Sequence, residues 1–384
     1  MRLLLKTAVL FLVTLGTVRG YAAAPASHER ALRDAVRVAK EMMASKDIYD
    51  RILAAGALSD IGDKQALEIL ERCLTVDDTV IQRSAIDTLI TANHPNSIDL
   101  LFKSASRNGE VLALMAESLA SIPRDDMGEL LVKALHEQSD FVKKHALQAL
   151  VRAPGNREQA ELLKMVSAPE TSPVIKAYAN FALYAGGRKE LASELLKAAQ
   201  SGSSDIREVA AVGLGLVDSK EARAALKSLG KETEQRVAVA AVASSAGLGD
   251  DDAVGKIIQV IGFGKPMEAT VMAGAMKRLP PKLALQITET VLACCRLKGD
   301  AATRLLESWG FIAADASKIY DWGLAHQEPD VRMQTLWVIG QRRDAGAIER
   351  VAPYLNDKDA GIRGMAAWTI IHIEGANFVD GVET

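Results

Sequence analysis

Eleven times between Asp50 and Ile362 the chain returns to one local pattern: an anchor, a small residue four places on, and a large apolar residue four places further. The anchors are Asp50, Ile81, Val111, Val142, Ile175, Ile206, Val237, Val271, Ala301, Val331 and Ile362; ten steps span 312 residues, a period of about 31. A unit of that length cannot bury its apolar face alone and must stack on copies of itself. Val or Ile fills nine of the eleven anchors, Ala fills eight positions four residues later, and Leu fills seven positions eight residues later. Positions 0, 4 and 8 share one helix face, and the small residue among them lets a neighbouring helix approach.

The stretches "DIREVAAVGLG" (Asp205 to Gly215) and "DVRMQTLWVIG" (Asp330 to Gly340) show how a unit opens. The Asp reads as an N-cap, because its carboxylate can accept from the orphan N–H groups of the first turn and favours the positive end of the helix dipole. Six units carry a basic residue directly after the anchor: Arg51, Lys143, Lys176, Arg207, Arg332 and Arg363. A second apolar-periodic helix follows each first one, as in "RILAAGALSDIG" (Arg51 to Gly62), a turn at Asp63, and "KQALEILERCL" (Lys64 to Leu74).

This pattern resembles the HEAT repeat family, in the short bacterial form also described as phycobilisome-lyase HEAT-like repeats, over roughly Asp47 to Gly375. The resemblance implies an all-α chain, a right-handed α-solenoid of about eleven helix pairs, whose second helices line the concave wall where partners are commonly held. Aromatics at 4% and the absence of alternating β-branched runs agree with an all-α reading. The expected organisation is a signal peptide over 1–24, a capping helix over 25–46, the array over 47–375 and a tail over 376–384. With helix layers about 8–10 Å apart, the array is expected to be an open curved rod roughly 80–100 Å along its contour.

The first residues, "MRLLLKTAVLFLVTLGTVRGYAAAPA", place Arg2 and Lys6 before an uncharged core and small residues after it, the layout of a cleaved secretory signal. An uncleaved anchor is the alternative, with Arg19 just after the core. Removing Arg2, Lys6 and Arg19 leaves 43 basic against 49 acidic residues, so the exported chain carries about −6 and is a poor candidate for nucleic acid. Cys73 lies seven units from Cys294 and Cys295, which excludes a disulfide framework, and no N-x-Ser/Thr sequon occurs. These features point to a periplasmic or secreted protein, with the adjacent cysteines read as small buried apolar residues.

Chemistry is hard to find in this sequence. Di-iron HEAT enzymes draw their ligands from several His-Glu dipeptides, whereas this chain has His136–Glu137 inside the array and His28–Glu29 before it. His94, His145, His326 and His372 have no partner at helical metal spacing. "NDKDAG" (Asn356 to Gly361) has Trp368 where a calcium loop needs its closing Glu, so it reads as a turn with a helix cap. "GDDDAVGK" (Gly249 to Lys256) reads the same way. No catalytic residue, metal or organic cofactor is expected.

What remains is surface. All four Trp lie after residue 300. Trp309 falls on the core stripe. Trp322 shares a helix face with Asp315 and Lys318 and is expected on the inner wall. Trp337 and Trp368 sit six residues after their anchors, where other units place Asp87, Glu117, Gln148, Lys277 and Glu307, and are expected on the outer wall, under the tail or against a partner. Unit eight, with Met267, Met272, Met276 and Pro280–Pro281, is expected to bend the superhelix. The functional reading is a non-catalytic periplasmic scaffold or adaptor that binds a protein or peptide through Trp322, Lys318, Asp315, Trp337 and Trp368. The alternatives are a divergent HEAT-fold enzyme and, with the signal uncleaved, a membrane-tethered scaffold.

Overall fold

The computed structural model describes residues 26–92, 94–122, 124–151 and 156–375, and among them there are helices and turns and no strand. In chain order the helices are α1 (Ala26–Met42), α2 (Ile48–Ser59), α3 (Lys64–Cys73), α4 (Thr79–Thr91), α5 (Pro95–Arg107), α6 (Gly109–Ser121), α7 (Gly128–Leu135), α8 (Asp140–Leu150), α9 (Asn156–Ser167), α10 (Pro173–Ala185) and α11 (Ala192–Ala198). They continue as α12 (Ser204–Leu214), α13 (Lys220–Leu229), α14 (Gln235–Gly247), α15 (Asp251–Phe263), α16 (Pro266–Ala275), α17 (Pro281–Cys294), α18 (Gly299–Trp309), α19 (Ser317–Leu324), α20 (Pro329–Gln341), α21 (Ile348–Val351) and α22 (Ala360–Glu374). Every anchor falls on an even-numbered helix; the odd-numbered helices from α3 onward are the second helices of the pairs. The chain is an all-α solenoid.

Local chemistry fixes each unit. Asp47, Asp63, Asp78, Asp250 and Asp359 are N-caps whose carboxylates accept first-turn N–H groups. In α12 and α20 the N-cap is Ser203 and Glu328 instead, and Asp205 and Asp330 lie inside the first turn, where their charge still suits the dipole. The basic residue after the anchor is structural. Arg207 donates to the carbonyls of Ser201 and Gly202 at 2.8 and 3.0 Å, and Arg332 does the same to His326 and Gln327, both at 2.9 Å. Arg51 and Arg363 repeat this grip on the turn between units, and in the second unit, where Gln82 follows the anchor, it makes one of the two bonds, to Val76. Each bond satisfies carbonyls that the preceding turn leaves without a helical partner.

The glycine that ends the first helix is a packing device. A Cβ on Gly340 would meet the Trp368 ring at 2.4 Å, and one on Gly310 would meet Trp337 at 2.9 Å. Each indole therefore lies on the backbone of the unit before it. With Ala four residues after the anchor, this keeps successive even-numbered helices in close contact, while successive odd-numbered helices mostly touch little. Units built this way are wedges, narrow along the even helices, so the even helices must form the inside of the curve. The expectation that second helices line the concave wall is corrected by this geometry.

Curvature runs to completion. α22 packs against both α1 and α2, and α1 covers α22 as an odd-numbered helix covers its partner elsewhere. The helix read as an end cap thus completes the eleventh pair, and the array is a closed ring instead of the open rod expected. Buried polar pairs hold the seam: His372 Nδ1 lies 2.6 Å from Asp60 Oδ2, and His28 Nδ1 lies 3.0 Å from Glu374 Oε1. Gly364 admits Met42 and Leu53, and Gly375 admits Ile61.

Unit eight departs from the pattern, by flattening where a bend was expected. α15 and α17 pack on each other as closely as α14 and α16 do, so the wedge is lost there, and α16 ends in a 3-10 turn at Met276–Arg278. Met272 and Met276 are core residues; Met267 is exposed. Cys73 is buried, whereas Cys294 is exposed and Cys295 half-buried, both as free thiols, which corrects the expectation of a buried pair. The signal segment 1–24 and the tail 376–384 lie outside the described residues.

Candidate functional site: the lumen of the ring

The core stripe at positions 0, 4 and 8 turns each even helix toward its neighbours and its outer partner, so positions 2 and 6 face the ring axis. The result is a lumen in two chambers. The larger, about 850 Å³, is lined across the seam by α18, α20, α22, α2, α4 and α6; the smaller, about 500 Å³, by α6, α8, α10, α12 and the turns after α16 and α18. Glu117, Ser121 and Phe311 line both.

The larger chamber combines aromatic, thioether and carboxylate groups. Trp337 meets Phe311 edge-on with ring centroids 6.1 Å apart, and Met333, Met365 and Leu53 extend the apolar wall. Arg83 Nη2 holds Glu117 at 2.6 Å, which keeps the Glu117 carboxyl below its ordinary range. Burial pushes the neighbouring Asp87 carboxyl up. Glu307 is paired with Arg304, while Asp300 and Asp330 stand exposed at one rim. The smaller chamber has a different character: Lys277 lies 5.7 Å from the centre of the Phe311 ring, and Arg278 reaches into the space shared with Glu208 and Tyr178. Tyr178, whose hydroxyl accepts from Gln148 at 3.0 Å, is held protonated by its burial.

Among the residues singled out in the sequence, Trp337 and Trp368 line the lumen, which corrects their expected place on the outer wall. The outward assignment assumed that first helices form the convex side. Trp337 is half-buried; Trp368 is only 4% exposed and stacks on His372 at 4.7 Å, so it belongs as much to the seam as to the chamber. Trp322 is on α19, on the outside of the ring, half-buried and 5.1 Å from the His326 ring, not on the inner wall. Lys318 is paired there with Glu289 at 2.7 Å, and Asp315 accepts from the N–H and hydroxyl of Ser317 at the start of the helix. The structure therefore separates the five residues into an outer trio and a lumen pair. Trp309 is fully buried, its indole N–H donating to Thr288 at 3.1 Å.

The sequence reading missed Arg83, Met333, Phe311 and Arg278 as lumen residues. Their signal was present in the register, since Arg83 and Met333 both sit two residues after an anchor. Among the described residues no group of three or more His, Cys, Asp or Glu is placed to hold a metal ion, and no helix is long and apolar enough to cross a membrane.

No family model and no curated protein matches the chain. Solved structures do. An engineered protein is 17% identical, with 89% of this chain and 99% of that one covered, at a TM-score of 0.28. Human deoxyhypusine hydroxylase, in complex with glycerol, is 14% identical over 83% of this chain and 99% of its own, at 0.32. Kap95p, from a complex with RanGDP, is 14% identical over 90% of this chain and 56% of its own, at 0.31. The chain is an α-solenoid of stacked helix pairs, and its closed geometry rests on its own packing.

Proposed function

We propose that this protein is a non-catalytic binding ring that holds a protein or peptide segment in its lumen. The observation that supports this reading is the wall of the larger chamber. Trp337, Met333 and Met365, which pack against the core on one side, and Phe311 turn apolar surface toward the axis, beside carboxylates that orient a partner. The outer trio of Trp322, Lys318 and Asp315 is largely engaged with its own neighbours and is a secondary contact surface.

The protein works outside the cytoplasm in this reading, as a periplasmic or secreted scaffold or adaptor without a cofactor. Intact-mass measurement on the exported form checks the first part, with the mature N-terminus expected between Ala23 and Ser27. The binding part is tested with a photo-crosslinking residue placed at Gln334 in the lumen, or at Lys227 on the outside of α13, in an envelope extract. A partner captured from Gln334 and not from Lys227 supports the lumen; capture from Lys227 alone rejects it.

A further inference from the structure

We propose that the larger chamber is built for an extended polypeptide segment carrying Lys or Arg side chains alternating with apolar ones. This rests on the lumen being the binding site and adds the chemistry of what enters it. The charge of the wall is one-sided: Asp87, Asp300, Glu328 and Asp330 line it beside the ion-paired Glu117 and Glu307, against Arg83, whose guanidinium is already committed to Glu117. An anionic segment entering here meets like charge, and a cationic one meets complementary charge.

The aromatic wall points the same way. Indole faces attract Lys and Arg cations, and the half-buried Trp337 lies within the same chamber as Glu307 and Asp330, so one cation can be stacked and paired together. Burial raises the Asp87 carboxyl, and an arriving cation would relieve that cost. Met333, Met365 and Leu53 supply adaptable apolar surface for the intervening side chains. A polypeptide fits better than a small free cation because the space continues past Glu117 and Phe311 into a second chamber of about 500 Å³. There Lys277 and Arg278 balance Glu117 and Glu208, which confines the cationic preference to the first chamber.

The test uses the whole mature protein and three labelled twelve-residue peptides in which Leu and Ala alternate with Lys, Gln or Glu. Fluorescence anisotropy should show the Lys peptide binding at least tenfold more tightly than the Gln peptide, weakening as salt rises, with the Glu peptide unbound. The double variant Asp300→Lys/Asp330→Lys, at exposed rim positions, should weaken the Lys peptide at least tenfold while the ring stays folded, its melt lowered only by the two lost helix-dipole contacts. Trp337→Ala should weaken it as well, and Glu221→Lys on the outer wall should leave it unchanged. Equal binding of the Lys and Gln peptides, or full retention in the rim variant, overturns the proposal, as does displacement of the Lys peptide by spermidine at equal concentration. A crosslinker at Gln334 separates the two layers: capture of the Gln or Glu peptide there removes the cationic assignment and keeps the lumen, while labelling of the outer wall alone removes both.

Discussion

The seam between α22 and the pair α1–α2 and the ordinary junction between α20 and α22 do the same mechanical work with different chemistry. At the ordinary junction, apolar surface meets apolar surface: Trp368 lies on Gly340, and the Thr369 hydroxyl donates to the Leu336 carbonyl at 2.9 Å. At the seam, three of the buried groups are Asp60, His372 and Glu374, each at most 6% exposed. The contrast follows from connectivity. Units along the chain meet because about 31 residues of chain deliver them in register, and nearest-neighbour packing suffices. Asp60 and His372 are 312 residues apart, so their meeting carries a large loop-closure cost and needs a contact that discriminates the correct edge from the other helix faces. A buried hydrogen-bonded pair serves that purpose, since a polar group left without its partner in a dry site is costly.

The largest expected effect comes from removing the closing element. Deletion of residues 26–42 uncovers the side of α22 that Gly364 opens to Met42 and removes the buried Leu32, Val38 and Met42, and should cost roughly 5 kcal/mol or more, several buried aliphatic side chains at about 1.5–3 kcal/mol each. Small-angle scattering should then report a longer, opened particle. An unchanged radius of gyration would mean that α1 does not close the ring.

Next comes the polar latch. Asp60→Ala takes one hydrogen-bond partner from the buried imidazole of His372 and should lower stability by about 1–3 kcal/mol, whereas the double variant Asp60→Leu/His372→Leu should recover part of that loss. Additive losses measured in urea would show that the two residues do not act as a pair. At an ordinary junction the matching change is Gly340→Ala, which forces a methyl into the Trp368 ring and should cost about 1–3 kcal/mol by overpacking. Arg332→Ala, which releases two turn carbonyls, should cost about 1 kcal/mol. If Gly340→Ala proves harmless, the glycine has been misread as a packing device.

The smallest effect is a pH dependence inside the lumen, away from both contacts. Burial raises the Asp87 carboxyl above the ordinary carboxylate range, so the folded state holds that proton more tightly than the unfolded chain does. Its stabilising contribution is present below the unfolded value and fades as pH rises through the folded one. Asp87→Asn should therefore raise the melting temperature at pH 7 and change it little at pH 3. A larger gain at pH 3 than at pH 7 contradicts this sign.

Much of the fold was legible because it is written locally and eleven times. The spacing of Ala54, Ala85 and their equivalents named the first helices, and Asp63 and Pro280–Pro281 marked where second helices begin. The core position of Trp309 was equally plain. Ring position was not legible, because a helix has the same apolar stripe whether it lies on the inside or outside of a curve. Trp337 and Trp322 were assigned to opposite walls for that reason, although the Ala and Gly of the first helices already held the answer in their size.

By itself, then, the sequence determined the repeat, its all-α character, the register of its core stripe and the scarcity of metal-ligand patterns, all of which depend on residues within one unit or two. Tertiary structure alone decided that the curve closes, that α1 serves the last unit, that Asp60 meets His372, and that Trp337 and the carboxylates look into a common chamber. Closure depends on the sum of ten small rotations between neighbours. A periodic sequence fixes the existence of each step, but its angle emerges only when the side chains of adjacent units are packed together.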